Sequence, residues 1–104
     1  MARTLTLVLL MAAAFPCLAY EQTYARVTTV QSTYMPTTIA FEVDTGTPSC
    51  PAGSWLIWSN ANTDNNKATY ATLLAAIASG SRILYYINDG DTSCKVVFLD
   101  IVSN

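Results

Sequence analysis

The stretch KATYATLLAAIASGSRILYYIN, residues 67–88, decides how the chain folds, because a helical pattern stops at a glycine and an alternating one begins just beyond it. In its first half Tyr70, Leu73, Leu74 and Ile77 fall at i, i+3, i+4 and i+7, which predicts a helix over Lys67 to Ser79 with these four on its buried face. Asn65 or Asn66 is placed to cap the start, and Gly80 to supply the left-handed residue after the end. In the second half Arg82 to Asn88 reads as a strand, with Ile83, Tyr85 and Ile87 toward the core and Arg82, Leu84, Tyr86 and Asn88 outward.

The flanking segments read as further strands. Gln22 to Tyr34 is rich in Thr, Val and Tyr without Gly or Pro, which suits one strand or a bent pair. After Pro36, Thr37 to Val43 alternates, with Ile39, Phe41 and Val43 on one face and Thr38, Ala40 and Glu42 on the other. Asp44 to Gly53 holds two Gly, two Pro and Cys50 and is loop chemistry. Ser54 to Ser59 (SWLIWS) is a short apolar strand, and Asn60 to Asn66 a polar turn. Downstream, Asn88-Asp89-Gly90-Asp91 is a hairpin turn, and Lys95 to Val102 (KVVFLDIV) is the last strand. A calcium loop needs more oxygen ligands at alternating positions than that turn offers. The order β-β-β-α-β-β is that of the OB-fold, a five-stranded Greek-key barrel with its helix between strands three and four. A plain α+β sandwich shares the order and stays open.

The chain has 104 residues, 52% of them hydrophobic, with three Cys, no His, and five Lys/Arg against seven Asp/Glu. Met1 to Ala19 is expected to be a secretory signal: Arg3 supplies a positive start, Thr4 to Phe15 is an uncharged apolar run, and Cys17 and Ala19 stand at −3 and −1 before Tyr20. The run falls short of the roughly 20 residues that cross a bilayer, and Pro16 interrupts it. Phe15-Pro16 before Cys17 also does not suit a lipidated cysteine. Removal of the leader leaves one domain, Tyr20 to Asn104, with a net charge of −3. The same cleavage leaves Cys50 and Cys94, most simply a disulfide in an exported chain, whether secreted or periplasmic. Closing a loop of more than forty residues, it is worth about 3–4 kcal/mol in the chain-entropy model. In an OB-fold the two cysteines precede strands three and five, which run parallel where the barrel closes, so the bridge fits.

Several function classes drop out. Without His there is no Ser-His or Cys-His pair and no His-containing zinc site. An acidic chain lacks the basic stripe that nucleic acid requires. Glu42, Asp44, Asp64 and Asp100 show no spacing that selects an acid/base pair, and neither Lys67 nor Lys95 has a Ser-x-x-Lys context. The expectation is a binding protein without chemistry, cofactor, metal or membrane span.

The face of the helix away from its apolar stripe carries Ala68, Ala71, Thr72, Ala75 and Ser79, with no charge after Lys67. Alanine fills an exposed face simply as the strongest helix former. A solvent-facing helix, however, normally carries charge there, and small neutral side chains let backbones approach, so this face is expected to meet copies of itself. For a ligand the candidates are Arg82, Tyr86 and Asn88. A tyrosine ring stacks on the apolar face of a pyranose, and a guanidinium pairs a carboxylate. Tyr86 equally suits a sheet edge or a subunit interface. Trp55 and Trp58 are expected to face opposite ways, and Trp58 with Asn60 forms a weaker second candidate.

Signal, disulfide, barrel order and the run ATYATLLAAIASGSRILYYIND together resemble the binding subunits of AB5 toxins of the subtilase-cytotoxin and pertussis-like branch. The likeness spans roughly Cys50 to Asn88. The chain is shorter than those subunits and lacks their second disulfide and long C-terminal segment. The resemblance implies a homopentameric ring with helices lining its centre and an exported enzymatic subunit as partner. It also implies binding of sialylated or other glycans on the barrel flank through Tyr85 or Tyr86. Tyr24-Ala25-Arg26 stands where the family carries a serine. The alternative is a monomeric periplasmic or extracellular protein-binding module or inhibitor.

Overall fold

Residues 20–31 are extended, yet they serve two sheets, because at Arg26 the ladder is interrupted. Arg26 donates its N–H to the Asp44 carboxylate at 2.7 Å, and its carbonyl accepts from the Asp44 N–H at 3.0 Å. The computed structural model describes residues 19–103, so the leader reading lies, through Leu18, outside the described residues. The elements are β1 (Tyr20–Ala25), β2 (Val27–Gln31), β3 (Ile39–Val43), β4 (Leu56–Trp58), α1 (Thr63–Ser79), β5 (Ile83–Asn88) and β6 (Val96–Ile101).

β1, β5 and β6 form one antiparallel sheet in that spatial order, called sheet A. β2, β3 and β4 form a second antiparallel sheet, sheet B. The sheets meet at β4 and β6 through an isolated parallel bridge between Ile57 and Lys95, with the Ile57 N–H donating to the Cys94 carbonyl at 2.9 Å. Beside it the Cys50–Cys94 disulfide is formed, with Cα atoms 5.8 Å apart.

The fold is therefore mainly β with one helix and one disulfide, but in two three-stranded sheets and not the closed five-stranded barrel expected. The physical reason lies in β4. The SWLIWS segment contributes only Leu56 to Trp58 to a strand; all three residues pair with β3 on one edge, and on the other edge only Ile57 reaches the start of β6, so the contact is one bridge and not a ladder. Met35–Pro36 is cis, and the residues around it form the β2–β3 loop.

The helix starts four residues before the expected Lys67, and its cap is Asn62, not Asn65 or Asn66. The Asn62 side chain accepts from the N–H groups of Asp64 (2.9 Å) and Asn65 (3.4 Å). Gly80 ends it in the left-handed region as expected, at φ 73°. No basic residue lies in the last turn; instead Arg26 donates from the β1–β2 junction to the Gly80 carbonyl at 3.1 Å. Its buried face is also rotated from expectation. Asn66, Thr69, Leu73 and Ala76 point inward, while Leu74 and Ile77 are 44% and 43% exposed. A buried asparagine causes the rotation. Asn66 Nδ2 lies within hydrogen-bond distance of the carbonyls of Pro36 (2.8 Å), Thr37 (3.1 Å) and Asn60 (2.9 Å), and its Oδ1 accepts from the Asn60 N–H at 2.8 Å. Burying these groups unpaired would cost more than exposing two aliphatic side chains, so Asn66 sets which way the helix faces.

The core between the sheets and the helix contains Ile39, Phe41, Leu56, Leu73, Ile83, Tyr85 and Ile87 with the disulfide. Among the described residues no helix is long and apolar enough to cross a membrane.

Candidate functional site

The outer face of sheet A carries an aromatic surface, and its construction starts from strand alternation. Ile83, Tyr85 and Ile87 are fully buried, which turns Leu84, Tyr86 and Asn88 to the other side. Tyr20 is opposite Asn88, Gln22 opposite Tyr86 and Tyr24 opposite Leu84, so these three side chains of β1 share that face. On β6, Phe98 pairs with Tyr86 and Asp100 with Leu84. A bulge between Tyr86 and Ile87 adds one residue to β6, so Val96 is buried while Phe98 is exposed.

Tyr20, Tyr86 and Phe98 consequently meet in a triangle. Ring centroids are 6.0 Å apart for Tyr20–Tyr86, 5.5 Å for Tyr20–Phe98 and 5.7 Å for Tyr86–Phe98, all edge-to-face. Such contacts are worth about 0.5–1.5 kcal/mol each beyond burial, so the rings support one another while Tyr20 and Phe98 stay 41% and 51% exposed. Further along the face the Arg82 guanidinium lies over the Tyr24 ring, 5.0 Å from its centroid. Arg82 therefore stacks on Tyr24, not beside Tyr86; three residues lie between those two, an extended span of about 13 Å.

The corner holding Tyr20 is fixed from both sides. The Ala19 carbonyl accepts from the Asp89 N–H at 3.0 Å. Glu21 accepts from the Ser49 N–H (3.0 Å), the Ser49 hydroxyl (2.7 Å) and the Gly90 N–H (2.9 Å). The Ser49 hydroxyl, with the Gly90 and Ser49 N–H groups, holds the Glu21 carboxyl down at about 2, so the clamp is anionic at ordinary pH. Asp91 is pulled below the usual carboxylate range by hydrogen bonds from the Ser93 side chain and backbone. Its carboxylate is thus spent on the turn, as the turn reading expects. Burial, with the charges of Asp44 and Glu21, pushes Tyr85 up to about 12, and its hydroxyl donates to the Thr45 carbonyl at 3.1 Å. Of the two tyrosines named by the resemblance, Tyr85 is thus a core residue and Tyr86 a surface one.

Arg82, Tyr86 and Asn88 share this face, whereas Trp58 and Asn60 lie on sheet B and in the loop after it. The exposed tryptophan is Trp55, at 42%. Trp58 packs partly buried against the core, and its indole N–H donates to Asn65 Oδ1 at 3.0 Å. Tyr20, Tyr24 and Phe98 are surface residues that sequence reasoning missed. Reading YEQTYA from Tyr20 at period two would have placed Tyr20 with Tyr24, but the bulge that exposes Phe98 leaves no sequence mark.

On the helix, Ala68, Ala71, Ala75 and Ser79 are exposed and Thr72 is half-buried. The two hydroxyls turn back on the helix, Thr72 to the Ala68 carbonyl (3.0 Å) and Ser79 to the Ala75 carbonyl (2.8 Å), so this face presents little polarity; Leu74 and Ile77 are exposed on another side of the helix. No protein-family model, curated protein or solved structure matches this chain.

Proposed function

We propose that this chain is an exported, non-enzymatic binding protein that takes a glycan on the outer face of sheet A and assembles into a homo-oligomeric ring through α1. The observation that carries the reading is the triangle of Tyr20, Tyr86 and Phe98, flanked by the amides of Gln22 and Asn88 and followed along the face by Arg82 on Tyr24. Partly exposed rings bordered by neutral donors and acceptors offer a sugar both its apolar contact and its hydroxyl partners, and Arg82 adds a cation for an acidic substituent. Assembly is supported by the small, uncharged side chains of Ala68, Ala71, Ala75 and Ser79 and, on another side of the helix, by the exposed Leu74 and Ile77, since exposed apolar surface marks a contact site.

The continuity of β1 into β2 and the parallel Ile57–Lys95 bridge support an OB-like arrangement, as does the disulfide next to that bridge. In this proposal the chain acts as a binding subunit like those of AB5 toxins, with an exported enzymatic subunit as partner. The disulfide suits the oxidising compartment that such export implies.

A glycan array with wild type and Tyr86→Ala tests the ligand. Binding that is lost in the variant supports the reading; no binding by a folded wild-type protein removes it. Size measurement separates the ring from the alternative, a monomeric protein-binding module, because a monomer at micromolar concentration ends the ring.

A further inference from the structure

The outer face of sheet A carries a cation and a carboxylate at opposite corners of one end. Arg82, just before β5, reaches over β1, its guanidinium 5.0 Å from the centroid of the Tyr24 ring. Asp100 lies on β6 in the same row of the face, because Tyr24 and Asp100 both pair with Leu84. Arg82 and Asp100 are exposed, and among the described residues neither side chain has an ion-pair partner. Glu21, the remaining charged residue of the three strands, is bound on the inner side by Ser49 and Gly90. At the far end of the sheet, Asp89 and Lys95 belong to the β5–β6 turn, where the charge of Lys95 acts on Asp91.

This placement makes the face complementary to itself. A two-fold axis in the contact plane, parallel to β5, sets β1 of one copy against β6 of the other at the same height. The Arg82–Tyr24 corner of each copy then meets the Asp100 corner of the other. Two sheets packed in aligned fashion, about 10 Å apart and about 30° askew, have this geometry. With the crossing centred on Leu84, the turn ends that hold Asp89 and Lys95 splay apart. The same rotation covers Tyr24, which is 49% exposed, and sets Phe98 against Gln22. An axis across the strands instead sets Asp100 against Phe98 and Arg82 toward Asn88, which desolvates both charges without pairing them. Charge thus selects one arrangement of the two.

We propose that the outer face of sheet A docks on the same face of a second copy across the axis parallel to β5, with Arg82 of each copy paired to Asp100 of the other. A face of three six-residue strands is smaller than the roughly 800 Å² per partner of a standard interface, so the pairing is weak and grows with concentration. A second copy and a glycan cannot occupy the face together, so pairing closes the glycan surface as the protein is concentrated. That consequence rests on the glycan reading; the pairing itself does not.

Sedimentation equilibrium of the exported protein from micromolar to millimolar concentration tests the pairing. The average mass of the wild type is expected to rise with concentration, and to rise less in high salt. Arg82→Glu and Asp100→Arg each set like charges together at both contacts, and each should weaken association at least about tenfold. Arg82→Gln and Asp100→Asn remove a charge without reversing it and should weaken association by a smaller factor. An equimolar mixture of Arg82→Glu and Asp100→Arg restores opposite charges at both contacts, as does the double variant, so both should associate like the wild type. A wild-type mass that stays constant overturns the proposal, as does association that none of the four single variants changes, or folded charge-reversal variants that stay apart when mixed. A glycan array read with dilute protein is independent of these outcomes, so the pairing and the glycan reading fail separately.

Discussion

Tyr20 and Phe98 meet edge-to-face with ring centroids 5.5 Å apart, although they come from the first and last strands of the described chain. The contact crosses β5 and makes the outer face of sheet A one surface. Phe98→Ala removes it together with the Tyr86 contact, and the expected loss is about 1–2 kcal/mol of stability in urea unfolding. An unchanged midpoint would show that the rings touch without holding the face together.

The Glu21 clamp predicts an acid response. Its carboxyl sits at about 2 in the folded chain against 4.5 unperturbed, so its stabilisation is complete above about 4.5 and disappears as the pH falls toward 2. Glu21→Gln should lower stability at neutral pH and flatten the pH dependence between those values. Melting temperatures at pH 2, 3, 4 and 6 check this, and parallel curves for the two proteins would refute it.

Tyr85 makes the opposite prediction at high pH. Its ionisation is raised to about 12 from 10, so folding favours the neutral phenol, and that contribution is present below pH 10 and is lost as the pH climbs through 12. Tyr85→Phe should cost about 1 kcal/mol at neutral pH, the net worth of one hydrogen bond, and unfold less steeply in alkali. Far-ultraviolet circular dichroism from pH 8 to 12 reads both effects.

Asn66 is expected to be the most sensitive polar residue in the chain. Asn66→Ala strips a partner from the carbonyls of Pro36 and Asn60 and from the Asn60 N–H, while the Thr37 carbonyl keeps the Ser59 hydroxyl at 2.8 Å. Leaving several such groups unpaired should cost about 3 kcal/mol or more. Hydrogen exchange should then rise around residues 36–38 and 59–62 first; a loss spread evenly over the chain would contradict the assigned role.

Leu74→Glu with Ile77→Glu tests assembly. Both side chains are more than 40% exposed, so the pair of substitutions should leave the fold of one subunit intact while shifting a wild-type oligomer to monomer in light scattering. Persistence of the oligomer would move the interface off the helix.

The sequence by itself determined the inventory of elements, because periodicity is local. The helix and its glycine stop, the inward Ile83, Tyr85 and Ile87, the turn at Asn88 to Asp91 and the Cys50–Cys94 bridge all follow from residues near one another or from a count of two cysteines. The tertiary structure alone decided how those elements were used. The helix turned to bury Asn66, since an amide satisfied at both its nitrogen and its oxygen outweighed Leu74 and Ile77, and hydrophobic spacing takes no account of a satisfied buried amide. The short β4 left two sheets where element order suggested a closed barrel. Arg82 stacked on Tyr24, and a one-residue bulge in β6 brought Phe98 out to join Tyr20 and Tyr86. Pairing register between distant strands sets those neighbours, and register depends on contacts that a single chain segment does not contain.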